Sequence, residues 1–255
     1  MSKWTAVLLA GSRPGVDPFA QAHGTDLKSL IPVGGVAMVS RPVDALLASD
    51  RIRAVRVLTQ QPERIGAVLP VDPQLTVESS QGTIAATLAD LCTDPSTEWP
   101  LLVTTADHAL LNGAMIDDFC RQTEGADIAI AVVERTDLMT RLPNSKRTWI
   151  PFKAGAYSGA NLFGLSGPQA LPAIALWHGV EQDRKKGWKL LWQLGPALFL
   201  GAMLRLLTLD QVMTRIGARL GVSVRPVVMA DPLAAVDVDK QADLDLVEQL
   251  LAERD

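Results

Sequence analysis

Cysteine, tyrosine and histidine are scarce in this sequence. Among its 255 residues there are two cysteines, one tyrosine and three histidines. Cys92 and Cys120 lie in segments with a helical pattern, and no C-x-x-C or Cys/His spacing of the kind that a zinc site requires is present. We therefore expect two buried thiols in a reduced, cytoplasmic protein without a disulfide framework.

An excess of charge of one sign is also lacking. The formal net charge is −4, and basic residues cluster only at Arg184-Lys185-Lys186. Binding to long nucleic acid needs an extended basic surface, so we do not expect nucleic acid as a partner. The charge-free stretch Leu194–Leu204 is shorter than the roughly 20 residues that cross a bilayer, and the N-terminus does not resemble a signal peptide. The sequence thus predicts neither a membrane span nor export.

Several motifs of nucleotide-binding and hydrolytic enzymes are missing. There is no G-x-x-x-x-G-K-[ST] loop, and no G-x-G-x-x-G follows the first apolar segment. The second apolar segment is followed by Thr59-Gln60 and not by the acidic residue that a dinucleotide-binding fold places there. There is also no G-x-S-x-G, and the histidines lie in three unrelated contexts. These absences argue against kinase-type, dehydrogenase-type and serine hydrolase chemistry.

Short apolar segments alternate with helical patterns along the first half of the chain. This alternation is typical of βαβ units around a mostly parallel sheet. The predicted strands are Ala6–Leu9, Val55–Leu58, Leu75–Glu78, Leu101–Thr104, Ile128–Val133, Ala160–Leu165 and Ser223–Met229. The predicted helices are Ser40–Ala48, Pro62–Leu69, Thr83–Leu91, Gly113–Gln122, Pro168–Trp177 and Gln241–Ala252. Ligands of such sheets bind at the carboxyl ends of the strands.

The first predicted strand opens directly into a loop with the features of a phosphate site. The loop runs Ala10-Gly11-Ser12-Arg13-Pro14-Gly15, and Lys28 follows after a further stretch. Glycines allow the backbone amides to approach phosphate oxygens closely, and the two cations can neutralise phosphate charge. Lys28 is the better candidate for the charge that develops when pyrophosphate leaves. An ordinary turn with a solvated lysine is an equally good interpretation of the loop alone.

Two acidic positions follow later strands. Asp107 comes after Leu101–Thr104, and because the next helix starts only after Asn112-Gly113, a helix-capping role does not account for it. Asp237 and Asp239 alternate, so only one of them can point into a site. We expect Asp107 and Asp237 to hold Mg²⁺, and Asp239 to cap the last helix. His108 is left out of the catalytic set, because an acceptor phosphate is already an anionic nucleophile.

The segment Ser79-Ser80-Gln81-Gly82-Thr83 ends the third strand and opens a helix. Its small side chains and amides could hydrogen-bond a base or a ribose. Capping of the helix by Ser80 or Thr83 is an equally good interpretation.

Taken together, these segments resemble the MobA-like nucleotidyltransferases. The resemblance rests on Leu9-Ala10-Gly11, on Lys28-Ser29-Leu30-Ile31-Pro32-Val33-Gly34-Gly35, on Thr105-Ala106-Asp107 and on Val236-Asp237-Val238-Asp239 before a last helix. It covers most of residues 4–135 and about the last 30. It implies an α/β, Rossmann-like fold of the GT-A type, a three-layer sandwich with a mostly parallel sheet, here with an additional helical insertion.

The resemblance also implies roles for individual residues. Lys28 would stabilise the transition state, Asp107 and Asp237 would hold Mg²⁺, and Gly11 with its neighbours Leu9, Ala10, Ser12 and Gly15 would bind the triphosphate. The acceptor would contact the strand Tyr157-Ser158-Gly159-Ala160-Asn161. Apart from the resemblance, the residue types themselves indicate Arg13 as a second catalytic cation and a basic pocket for the acceptor phosphate at Arg184, Lys185 and Lys186. They also indicate Ser80, Gly82, Thr83 and Ala106 as further nucleotide-binding residues.

We expect residues 1–255 to form one domain, with residues 140–220 as an elaboration on the acceptor side. An apolar helical segment at 187–207 carries Trp188 and Trp192 on one face. A buried helical pair or a homodimer contact is one interpretation of this segment, and a peripheral contact with a membrane interface is the other.

The activity that these features predict is Mg²⁺-dependent transfer of a nucleoside monophosphate from an NTP, with CTP favoured, to a small phosphorylated acceptor such as a sugar, polyol or inositol phosphate. Two alternatives use the same sheet. A GT-A glycosyltransferase would bind a nucleotide-sugar without requiring the loop from Gly11 to Lys28. A non-catalytic nucleotide sensor would bind an NTP without releasing pyrophosphate.

Overall fold

A computed structural model describes residues 3–12, 15–80, 82–182, 195, 201 and 204–253. Its main sheet has the strand order β10-β7-β9-β6-β1-β4-β5, with β8 paired to β9. The strands are β1 (Trp4–Leu9), β4 (Ile52–Thr59), β5 (Leu75–Ser79), β6 (Leu101–Thr105), β7 (Ile128–Glu134), β8 (Ile150–Phe152), β9 (Gly155–Leu165) and β10 (Val224–Val228), and β2 (Pro32–Val33) and β3 (Val36–Ala37) form a separate hairpin.

The helices are α1 (Pro18–Ala22), α2 (Ser40–Leu47), α3 (Pro62–Gly66), α4 (Ile84–Thr93), α5 (Gly113–Gln122), α6 (Arg135–Arg141), α7 (Leu171–Gln182), α8 (Leu209–Leu220) and α9 (Gln241–Ala252). Short 3₁₀ turns occur at Lys28–Leu30, Pro168–Ala170 and Pro232–Ala235. Within the described ranges, no helix is long and apolar enough to cross a membrane.

The sheet is parallel except at one strand. β1 pairs in parallel with β4 and β6, β4 with β5, and β7 with β10, whereas β9 runs antiparallel to both β6 and β7. The expected α/β fold with a mostly parallel sheet is therefore confirmed. Because β9 runs antiparallel to β6, residues in the middle of β9 lie beside the carboxyl end of β6, where Thr104 pairs with Leu162.

Two apolar cores lie on opposite faces of the sheet, which makes the architecture three-layered. Along β1, Ala6 and Leu8 pack into one core and Val7 into the other, as the alternation of a strand requires. Residues of α2, α5 and α9 belong to the first core, and residues of α4 and α7 belong to the second. Because both faces are covered, β1 and β6 consist mostly of apolar residues, and Thr5 and Thr104 within them are buried as well.

Local capping explains where several helices begin and end. Asn112 accepts a hydrogen bond from Met115 N at the start of α5, as expected from the Asn112-Gly113 pair. Thr208 and Gln211 form a reciprocal capping box at the start of α8, and Gly221 ends that helix in the left-handed conformation.

Most predicted elements are present. The sequence pattern did not predict the helices α1, α6 and α8 or the short strands β2, β3 and β8. The apolar segment 187–207 lies largely outside the described residues; of those described, residue 201 is helical and residues 204–207 are irregular. Both cysteines are unpaired and buried, as expected, and burial raises the pKa of Cys92 to about 11 and that of Cys120 to about 12.

Candidate active site

The carboxyl ends of three central strands lie side by side. Leu9 at the end of β1 is in register with Leu58 in β4 and with Thr105 at the end of β6. The loops that follow β4 and β6 therefore each begin about one strand spacing from the loop that follows β1. This edge collects the glycine loop, Asp107 and, by way of the chain that returns after β10, the pair Asp237 and Asp239.

Lys28 joins two carboxylates at this edge. Its Nζ lies 2.7 Å from Oδ2 of Asp107 and 2.6 Å from Oδ1 of Asp239. Thr105 donates its hydroxyl to Asp107 Oδ1, and the Val238 amide donates to the Asp107 carbonyl over 3.1 Å. The backbone contact fixes the returning chain against the end of β6, so the two carboxylates meet at one ammonium group.

The electrostatics of Lys28 follow from this geometry. Its side chain is 24% exposed, and burial alone would lower its pKa, but the attraction and hydrogen bonds of Asp107 and Asp239 outweigh burial and raise the pKa above its usual value. The lysine is therefore charged at neutral pH. A positive charge held at a strand end beside a glycine loop can stabilise anionic phosphate groups.

The predicted capping role of Asp239 is wrong. Lys240 is the N-cap residue of α9, and no side chain of the cap bonds the helix there. Asp239 instead contacts Lys28, and its own amide donates to Asp243 Oδ2 over 3.1 Å. The stretch 236–239 is not a strand, so the alternation that separated Asp237 from Asp239 does not apply.

Asp237 belongs to a second polar cluster. Arg147 Nη1 lies 2.7 Å from Asp237 Oδ1, and Asn161 Nδ2 donates to Asp237 Oδ2 over 3.2 Å. Arg147 Nε also donates to Ser158 Oγ over 3.3 Å. The Asn161 carbonyl accepts a hydrogen bond from the Thr104 hydroxyl, which ties this cluster to β6 just before Asp107.

The glycine loop is held by a glutamine from the neighbouring strand. Ser12 N donates to Gln60 Oε1 over 2.8 Å, and a Cβ on Gly11 would stand 2.9 Å from Gln60 Nε2, too close for an alanine without movement. Gly15 has φ +108, a conformation that favours glycine. The Leu9 carbonyl accepts a hydrogen bond from the Ala106 amide, and the Ala10 carbonyl accepts one from the Thr59 hydroxyl. Arg13 lies outside the described residues.

The segment predicted to contact the base begins helix α4. Thr83 accepts a hydrogen bond from Ala86 N and caps the helix, which is the structural alternative that its position suggested. The Ser80 hydroxyl pairs with that of Thr87, and the Ser80 amide donates to Thr59 at the end of β4. Ser80 and Gly82 thus lie next to the strand edge that carries the glycine loop.

His108 is buried beside Asp107. Burial lowers its pKa to about 4, against a smaller opposing effect of Asp107 and with a further lowering by Arg147. Its Nδ1 lies 3.3 Å from the Thr104 hydroxyl, and Nε2 has no hydrogen-bond partner among the described residues. A neutral, enclosed imidazole is consistent with leaving His108 out of the catalytic set.

The predicted acceptor residues are only partly brought together. Ser158 and Asn161 meet Asp237 and Arg147, whereas the ring of Tyr157 packs near Phe152, with 6.0 Å between centroids. Gly159 is exposed between them. The basic group at 184–186 lies outside the described residues.

The donors at this edge fit a hard divalent cation. Asp107 and Asp239 each place a carboxylate oxygen within hydrogen-bond distance of one ammonium, so both oxygens converge on a single positive charge. Mg²⁺ prefers carboxylate oxygen and keeps water and phosphate in its other positions. Within the described ranges, no group of three or more His, Cys, Asp or Glu is arranged to hold a metal, so substrate and water would have to complete the coordination.

A cleft of about 360 Å³ lies elsewhere, against the starts of β7 and β10 and one side of α8. Its acidic residue, Asp127, accepts hydrogen bonds from the amide and hydroxyl of Ser223 and from Gln169. The Asp127 carboxylate is thus satisfied by structural hydrogen bonds, and we do not regard this cleft as a candidate active site.

The protein is thus an α/β protein with three layers and a lysine-carboxylate cluster at the carboxyl edge of its sheet. The sequence model of the MobA-like NTP transferase domain matches residues 6–214. The chain belongs to the MobA-like NTP transferase family. No match to the sequence was found among curated proteins.

Solved structures agree with the fold. A hypothetical transferase from Thermus thermophilus is 27% identical, with a TM-score of 0.80 over 95% of this chain and 99% of that one. The 4-diphosphocytidyl-2C-methyl-D-erythritol synthase of Anaerococcus prevotii DSM 20548 is 9% identical, with a TM-score of 0.60 over 98% and 96%. A mycobacterial protein from strain JC1 is 16% identical, with a TM-score of 0.51 over 98% of both chains. The last two likenesses concern the fold alone.

Two residues of the site, Arg147 and Gln60, were not predicted from the sequence. Arg147 lies in an irregular segment without a pattern, and Gln60 follows β4 without a motif. A third, Asp239, was named but assigned to helix capping. The sequence did contain evidence against the capping role of Asp239. The predicted last helix begins at Gln241, so its N-cap position is Lys240, and Asp239 lies one residue too early to cap it.

Proposed function

We propose that this protein transfers a nucleoside monophosphate from an NTP to a small phosphorylated acceptor and releases pyrophosphate. The observation that carries the proposal is Lys28, whose ammonium lies between Asp107 and Asp239 at the strand edge that bears the glycine loop. Membership of the NTP transferase family supports the same chemistry. CTP is the nucleotide that we favour, by analogy with the polyol-phosphate enzymes that the sequence resembles.

The reaction requires one bond to form and one to break. An oxygen of the acceptor phosphate attacks the α-phosphorus in line, and the bond from that phosphorus to the bridging oxygen of the β-phosphate breaks. The electron pair of the broken bond leaves with pyrophosphate. Because the acceptor phosphate is already an anion, no strong base is needed, in keeping with the neutral state of His108.

Each part of the strand edge has a task in this reaction. The amides of Gly11 and Ser12 bind the triphosphate, and Gln60 gives up the Ser12 amide when phosphate arrives. Lys28 turns from its carboxylates to the phosphates and stabilises the charge of the leaving pyrophosphate. Asp107 and Asp239 would hold Mg²⁺, which would supply positive charge to phosphate oxygens. The contacts favour Asp239 over Asp237 for this task, because Asp239 and Asp107 converge on one ammonium, whereas Asp237 contacts Arg147 and Asn161 instead.

The test is Mg²⁺-dependent pyrophosphate release from CTP, UTP, GTP and ATP against a panel of sugar, polyol and inositol phosphates. Lys28→Met and Asp107→Asn should each reduce release by about 10²- to 10³-fold, as expected when charge stabilisation of a transition state is lost. Lys240→Met is the matched control. It removes an exposed lysine next to Asp239 that forms no cap contact, and activity should stay within about twofold.

Two results would redirect the proposal. Nucleotide binding without release for every acceptor indicates a sensor. Turnover of a nucleotide-sugar that survives Lys28→Met indicates a glycosyltransferase.

A further inference from the structure

Arg147 occupies an unusual position for an arginine in a loop. The segment 142–149 between α6 and β8 forms neither helix nor strand, yet the Arg147 side chain is only 19% exposed and its partner Asp237 only 22%. Bringing two charges out of water is costly, and a pair of apolar residues would attach a loop to a sheet as well or better. A half-buried charged pair here therefore calls for a reason other than attachment.

The contacts of Arg147 leave part of its guanidinium available. Asp237 is reached through Nη1 alone, and Ser158 through Nε. Nη2 makes no hydrogen bond or ion pair within the part of the chain that the structure describes. Guanidinium is a planar fork suited to two parallel hydrogen bonds with a phosphate, so the one-point contact with Asp237 leaves the phosphate-binding geometry unused.

The backbone beneath this pair is also held in an uncommon conformation. Asn161 has φ +40, a conformation that asparagine adopts more readily than most residues, at the point where the pairing of β9 with β7 shifts register, and its side-chain amide contacts Asp237. Such residues persist only where their surroundings over-determine them, and they cluster at functional sites. The Asn161 carbonyl bonds Thr104 on β6, so the cluster lies immediately beside Asp107.

We propose that Arg147 binds the phosphate of the acceptor, and that Asp237 and Asn161 bind its hydroxyl groups. Before the acceptor binds, Asp237 holds the guanidinium in place. A cation beside a carboxylate and an amide fits a polyhydroxylated phosphomonoester, since the phosphate needs donors and the hydroxyls need acceptors. This inference rests on the proposed function for the identity of the ligand, but the anion site itself can be tested without turnover.

The test uses inorganic phosphate as the probe and backbone amide NMR shifts as the readout. Phosphate should shift the amides of Ser158 and Asn161 in the wild type, separately from any shift of Gly11 and Ser12 at the triphosphate loop. Arg147→Gln should weaken the effect at 158–161 by about 10- to 100-fold, the scale of hydrogen bonds to a charged group. Arg141→Gln, at an arginine that is 55% exposed at the end of α6, is the matched control and should bind as the wild type does.

Two more variants separate binding from attachment of the loop. Arg147→Lys keeps the charge beside Asp237 but loses the fork, so its affinity should fall by less than that of Arg147→Gln while the fold is retained. Asp237→Asn removes the competing carboxylate and should bind phosphate more tightly than the wild type. If Asp237→Asn instead weakens binding as Arg147→Gln does, the pair is structural and the inference is wrong.

Other results would also overturn it: shifts confined to Gly11 and Ser12, no shifts at all, or the same affinity in Arg147→Gln. If phosphate binds as expected but no acceptor supports pyrophosphate release, the proposed function fails while the anion site stands. Where release is found, Arg147→Gln should raise the KM for the acceptor and leave the KM for the nucleotide unchanged.

Discussion

Lys28 Nζ lies 2.7 Å from Asp107 Oδ2, across a separation of 79 residues in the chain. The ammonium occupies the position where the two carboxylates converge, so lysine and a divalent cation compete for the same oxygens. We expect Lys28→Met to bind Mn²⁺ about tenfold or more tightly than the wild type without nucleotide, because the competing charge is gone. Electron paramagnetic resonance of free Mn²⁺ measures this.

Lys240→Met is again the control for a general change of charge, and its Mn²⁺ affinity should stay close to that of the wild type. Equal or weaker binding by Lys28→Met would show that the lysine does not compete with the metal.

Asp239 and Asp237 should differ in their effect on the cation. In the presence of the nucleotide, Asp239→Asn should weaken Mn²⁺ binding by at least about 10- to 100-fold, the range found even for residues that only support metal ligands. Asp237→Asn should leave Mn²⁺ affinity nearly unchanged. The reverse order would return the second ligand position to Asp237, as the sequence pattern first indicated.

Gly11→Ala should weaken nucleotide binding through Gln60. The added Cβ would meet the Gln60 amide at 2.9 Å, so either the glutamine or the loop must move. We expect the KM for the nucleotide to rise by about tenfold, equivalent to about 1.4 kcal/mol. Gln60→Ala in the same chain removes the obstruction and should recover part of the loss. A double variant no better than Gly11→Ala alone would place the defect in the loop backbone.

His108 should make stability depend on pH. Its folded pKa is about 4 and its unfolded value is 6.5, so between these values the unfolded state binds the proton and the folded state does not. The free energy of unfolding is therefore unaffected by His108 above pH 6.5 and falls as the pH is lowered toward 4, by about 2 kcal/mol at pH 5.

Urea unfolding at pH 7 and pH 5 in metal-free buffer measures this difference. In His108→Leu the part of the difference due to His108 should disappear, whatever the variant's stability at pH 7. An unchanged difference between the two pH values would mean that another group accounts for it.

Much of the sheet and several helices could be predicted from the sequence because their signals are local. Strands buried on both faces give continuous apolar runs. Asn112 marks the start of α5 because its side chain is an N-cap that accepts a hydrogen bond from Met115 N. The assignment of Lys28 and Asp107 to one edge also followed from a general property of parallel sheets, that carboxyl ends share an edge.

The remaining parts depend on distant contacts that no local pattern contains. Asp239 meets Lys28 because the Val238 amide bonds to Asp107, a contact between segments about half the chain apart. Arg147 finds Asp237 only because β9 inserts between β6 and β7 and carries Ser158 to the same place. α8 was overlooked beside the apolar stretch before it, although Thr208 and Gln211 form a recognisable capping box.

Since β9 pairs with β6 over residues 162–165 and with β7 on its other edge, it ties the two halves of the sheet together. Ser158 and Asn161 are therefore fixed relative to Asp107, whatever the length of the loops that precede and follow the strand. Those loops can lengthen, shorten or change composition without a cost to the nucleotide end. A change in those loops therefore alters the surroundings of Asp237 while Lys28 and Asp107 keep their places.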